Sequence, residues 1–218
     1  MRISSEQQVV TLRRDLLPIS QSGRFWLAAL VGAVGGLIFL SILPTGAFST
    51  FAHYVLRLPA PGAGIALLVG PLAVVCLLVA WRVARSGGGA LVGALAFSLT
   101  CTVAMAFMGG RGGGNGMIGS PLFVLALGTS GAVAEIVLFL TRALRALWWR
   151  FVLAAAGANV ALLIFYWTVI FPRTVGWIPW RAGPVLLAVS LGAGALAGLA
   201  SWALTSQPPD TEGPDARG

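Results

Sequence analysis

The chain has 218 residues, 58% of them hydrophobic and 9% charged, with a mean hydropathy of +0.92, whereas a soluble domain is roughly 25% charged. Such a chain cannot cover itself with a water-compatible surface, so lipid is its solvent. All 14 basic residues are arginines; the missing lysine excludes Schiff-base chemistry and a phosphate loop ending in Gly-Lys-Ser/Thr.

The apolar runs are about twice the roughly ten residues of a barrel strand, so the expected fold is an all-α integral membrane protein, a compact bundle of about six helices. The first 23 residues, with Glu6 and Asp15, form a polar cytoplasmic segment. Its stretch 5–17 sets Val9, Val10, Leu12, Leu16 and Leu17 beside Arg13 and Arg14, as a surface amphipathic helix would. No Ala-x-Ala cleavage site follows the first apolar run, which therefore reads as a retained helix.

Residues 24–205 hold six predicted spans: 25–43, 62–82, 89–108, 120–141, 151–171 and 183–204. In the first, Ala28, Gly32 and Gly36 make one stripe of small residues and Ala29 and Ala33 a second, the device by which membrane helices approach closely. Both stripes are candidates for packing inside the bundle and for a partner helix. Gly89/Gly93, Ala90/Ala94 and Gly194/Gly198 repeat the pattern in spans three and six. Pro71 after Gly70 is expected to kink or loosen span two.

The loops alternate in character. Ten arginines (2, 13, 14, 24, 82, 85, 142, 145, 150 and 217) fall on one side and four (57, 111, 173 and 181) on the other, which places both termini in the cytoplasm. Trp26, Trp81, Trp148, Trp149, Trp177 and Trp180 fall near span ends, as headgroup-level rings do. The outer connections 44–61, 109–119 and 172–182 are long and rich in Gly, Pro and aromatics. They are either plain connectors or lids over a pocket mouth, with Arg111, Arg173, Trp177 and Trp180 as lid or steering groups. The segment 206–218 is a proline-rich polar tail, expected to be a disordered cytoplasmic extension.

Polar groups inside the spans are few. Glu135 is the one acid in any span, so it must be protonated, paired, or open to a watery cavity. Asn159 sits mid-span in the fifth; if spans four and five are neighbours, the two share a depth and make one small polar site. Ser98, Thr100, Thr102, Ser130 and Ser190 are expected to bond their own backbones. Cys76 and Cys101 read as buried small hydrophobes and His53 as a loop residue, so no metal site is implied. No Gly-x-Ser-x-Gly elbow is present, and one carboxylate is too little for catalysis in lipid. The scattered arginines exclude a nucleic-acid face.

This layout resembles the substrate-binding S components of energy-coupling factor (ECF) transporters, six-helix membrane proteins with cytoplasmic termini and a long first outer loop over the pocket. Their alanine-x-x-x-alanine face on the first helix is matched by Ala29-Leu-Val-Gly-Ala33. The resemblance implies a multi-pass cell-membrane (bacterial inner-membrane) protein that binds a small solute from outside and is not an enzyme. It further implies no cofactor and no ATP site of its own, with a coupling subunit and ATPases as partners. The alternative is a structural membrane subunit of a larger complex with no ligand.

Overall fold

The computed structural model describes residues 21–42, 57, 62–85, 87–107, 118, 120–174 and 183–206. The amphipathic stretch 5–17, His53, Arg111, Trp177, Trp180 and the tail 207–218 lie outside the described residues.

Six helices are long and apolar enough to cross a membrane, and no strand occurs among the described residues. α1 is Gln21–Ile42 and α2 is Ile65–Ala84. α3 is Gly89–Phe107 and α4 is Pro121–Leu140, extended by a 3-10 turn, Thr141–Ala143. α5 starts as Leu147–Phe165 and continues through a π-helical turn, Tyr166–Ile170, into Phe171–Thr174. α6 is Gly183–Thr205. The chain is a multi-pass membrane protein of all-α class.

Boundaries follow local chemistry. Pro121 occupies the first turn of α4, where its missing N–H costs nothing. α2 stops where Arg85 turns left-handed, φ 52°, with its N–H on the Trp81 carbonyl. α5 begins four residues before its predicted start, because Trp148, Trp149 and Arg150 belong to its first turn and not to a loop. The two indoles stack with centroids 4.3 Å apart.

α2 is the hub: it packs against all five other helices, while α1, α3, α4, α5 and α6 follow one another around it as an arc. Lipid gives helices no hydrophobic reason to associate, so backbone proximity has to supply the attraction. The α1–α3 contact shows how. Ala28, Gly32 and Gly36 are buried, and a Cβ on Gly32 would run into the Gly93 carbonyl. The Cys101 thiol adds a donor to the Gly36 carbonyl at 3.6 Å. Gly194 and Gly198 of α6 sit in the same way on the backbone of α5 around Ala155 and Phe151.

The small-residue stripe Ala28, Gly32 and Gly36 is therefore used within the monomer and is closed to a partner helix. Ala29 and Ala33 are only half-buried, beside the exposed Trp26, Leu30, Val34 and Leu37.

Candidate functional site

The polar interior centres on Asn159, and the backbone of α2 explains why. α2 opens with a π-helical turn, Ile65–Val69, which closes with the Gly70 N–H reaching five residues back to the Ile65 carbonyl. The next bond in that register would run from residue 71 to Ala66, but Pro71 has no N–H. Asn159 supplies the missing donor: its Nδ2 lies 2.9 Å from the Ala66 carbonyl and 2.8 Å from the Ser190 carbonyl. One fully buried amide thereby ties α5 to α2 and α6.

Gly70 makes the approach possible, since a Cβ there would collide with Asn159 Oδ1. Two polar atoms remain over. Asn159 Oδ1 and Ser190 Oγ are buried without a hydrogen-bond partner among the described residues, which is costly in an apolar medium. Ser190 is fully buried, and nearer the 171–174 end of α5 Tyr166, Trp167 and Ile170 of the second π-helical turn are also buried. Tyr166 packs on Phe171 with ring centroids 6.0 Å apart. Wide turns of this kind are frequent at functional sites.

Glu135 belongs to a different level. Its Oε1 accepts the Ala90 N–H at 2.7 Å, so the carboxylate caps α3, whose first N–H groups have no intrahelical acceptor. Ser130 Oγ donates to the Ala158 carbonyl at 3.0 Å and thereby fixes which part of α4 faces Asn159. Glu135 is five residues further on, about 7 Å along the axis toward the 142–150 connection. The shared depth expected for Glu135 and Asn159 is not found: α4 and α5 are neighbours, yet their offset separates the two side chains.

The end of the bundle near Glu135 holds the arginines. Arg150 Nη2 donates to the Leu138 carbonyl at 3.1 Å, satisfying one of the carbonyls that α4 leaves open as it ends. Its guanidinium also lies 5.8 Å from the centre of the Trp81 ring, while Arg142 sits over Phe139 at 4.5 Å.

Of the hydroxyls expected to bond their own backbones, Ser98 and Thr102 do so, whereas Ser130 bonds the neighbouring helix and Ser190 Oγ has no partner among the described residues. Ser98 donates to the Leu95 carbonyl at 3.0 Å and Thr102 to that of Ser98 at 2.9 Å, both within α3. The Asn159–Ala66 bond escapes sequence reasoning, although Pro71 and a buried amide were its two visible halves. Only the width of the turn at residue 65 reveals which carbonyl goes wanting.

No protein-family model and no curated protein matches the chain by sequence. Among solved structures, the fold is similar to the crystal structure of an S-component of an ECF transporter. The TM-score is 0.57 at 21% sequence identity, covering 83% of this chain and 81% of the other. At that identity the likeness concerns the fold.

Proposed function

We propose that this chain is a solute-binding membrane subunit of the ECF S-component kind, taking a small molecule from the outer face and relying on partner subunits for ATP hydrolysis. The observation that carries the reading is the fold likeness across 83% of the chain, joined to two buried polar atoms, Asn159 Oδ1 and Ser190 Oγ, that have no partner among the described residues. These two atoms are where a solute would make polar contact, beneath the aromatic layer of Tyr166 and Trp167. Arg111, Trp177 and Trp180 in the outer loops are its proposed lid groups, assigned from sequence alone. Glu135 acts in this reading by holding the start of α3 in place. The arginine asymmetry supports cytoplasmic termini, and a cell-membrane location, the bacterial inner membrane, follows from the same reading.

The partner face is the outer strip of α1, where the half-buried Ala29 and Ala33 lie among the exposed Trp26, Leu30, Val34 and Leu37. Small residues there admit the backbone of another helix. Affinity purification of the tagged full chain from mildly solubilised host membranes tests this. ATP hydrolysis is expected to co-elute with the wild type and to fall at least tenfold with Ala29→Leu/Ala33→Leu. Elution of the wild type with no ATPase activity contradicts the proposed dependence on partners.

One observation favours a ligand-free structural subunit: the amide of Asn159 and the carboxylate of Glu135 both already serve backbone groups. That reading expects no solute to be retained.

A further inference from the structure

The end of the bundle where α2, α4 and α5 meet carries a cationic depression that the solute site does not use. A hollow of about 450 Å³ is lined by Trp81, Glu135, Ile136, Phe139, Arg142 and Arg150, among others. A second, of about 460 Å³, is formed by Trp81, Arg82, Arg85 and Gly87. Trp81 and Gly87 belong to both, so the two are adjoining halves of one cleft with the indole between them.

Four arginines face one carboxylate there. That carboxylate, the Glu135 side chain, accepts the Ala90 N–H, and Glu135 is the one acid among the described residues. Arg82, Arg85 and Arg142 are exposed. Arg150 is half-buried and reaches a backbone carbonyl through Nη2, while its Nε is buried with no acceptor among the described residues. The cleft therefore presents planar guanidinium donors and uncompensated positive charge, the chemistry that selects phosphate.

What lies beside it identifies the source of the phosphate. Ile136 and Phe139, which line the cleft, are exposed on α4, and Leu140 is exposed beside them. Trp81 stands at the level of the helix ends, where amphipathic rings mark the boundary between headgroups and acyl chains. A charged hollow continuous with an apolar lane fits a head and its tail, and basic pockets between spans on the cytoplasmic side are where anionic headgroups gather.

We propose that this cleft binds the phosphate group of one anionic phospholipid, with guanidinium groups of Arg82, Arg142 and Arg150 around the headgroup and an acyl chain along Ile136 and Phe139. The proposal is independent of the solute reading.

Native mass spectrometry of the full chain, titrated with phosphatidylglycerol, phosphatidylcholine and inorganic phosphate, tests it. One phosphatidylglycerol is expected to bind saturably and at least tenfold more tightly than phosphatidylcholine. Arg82→Gln/Arg142→Gln, both exposed and so compatible with an intact fold, should abolish that preference. Arg145→Gln, an exposed arginine that does not line the cleft, should leave it unchanged. Equal binding of the two lipids, equal losses in the double variant and in Arg145→Gln, or displacement of the lipid by equimolar inorganic phosphate would each overturn the proposal. The first removes the site, the second reduces it to general surface charge, and the third makes it a site for free phosphate.

Discussion

Asn159 and Glu135 show how one side chain acts when water is absent. Each answers a backbone group that its own helix leaves open, the Ala66 carbonyl in one case and the Ala90 N–H in the other. Asn159→Leu should therefore destabilise the fold by about 1–3 kcal/mol, the usual cost of an unsatisfied buried partner, measured by unfolding in mixed micelles. Glu135→Leu strands one N–H and should cost about 1–2 kcal/mol, whereas Glu135→Gln keeps an acceptor oxygen and should cost less than half of that. Equal losses for the Gln and Leu variants would mean that charge, and not hydrogen-bond geometry, holds the start of α3. Both residues stood out in the sequence as polar islands in apolar runs. Their partners did not, because a backbone group 45 or 93 residues away has no signature in composition.

At the scale of elements, hydropathy and proline placement were legible and register was not. The six spans fall within four residues of their predicted bounds, since a run of about twenty apolar residues is what a bilayer demands. The exception that teaches most is α5, where aromatic and arginine residues that suggested a connection form the first helical turn. Pro71 was legible as a disturbance, but its form, a widened turn whose unmet carbonyl is bonded by another helix, needed coordinates. This coupling is measurable. Pro71→Ala restores an N–H for Ala66, so Asn159→Leu should cost at least 0.5 kcal/mol less in that background than alone, a shortfall that a double-mutant cycle detects (order of magnitude from). On α1, Gly32→Leu should cost about 3 kcal/mol or more through its collision with the α3 backbone, while Ala29→Leu, at the half-buried edge, should stay within about 0.5 kcal/mol. Similar costs at both positions would show that the two stripes of α1 are not divided between the bundle and the lipid-facing surface.

The described residues form an arc of five helices around α2, and the division of polar groups along its length gives the arrangement a direction. One end gathers arginines around Trp81; the middle holds the Asn159 tie; the other end carries the aromatic turn of Tyr166 and Trp167. The arginine asymmetry is visible in the sequence, but the separation of Glu135 from Asn159 is not, because the offset between two neighbouring helices depends on packing at Ser130 and Ala158. The central claim, that the interior near Asn159 receives a solute, is tested most directly by small-molecule retention. Full-length protein in lipid nanodiscs is incubated with a cell metabolite extract, washed, denatured, and the released compounds are identified by mass spectrometry. One compound is expected to be released in about one-to-one ratio from the wild type and to be lost from Ser190→Ala and Asn159→Ala protein that melts cooperatively. Wild-type protein that releases nothing, or folded variants that release the same compound in the same amount, would contradict it.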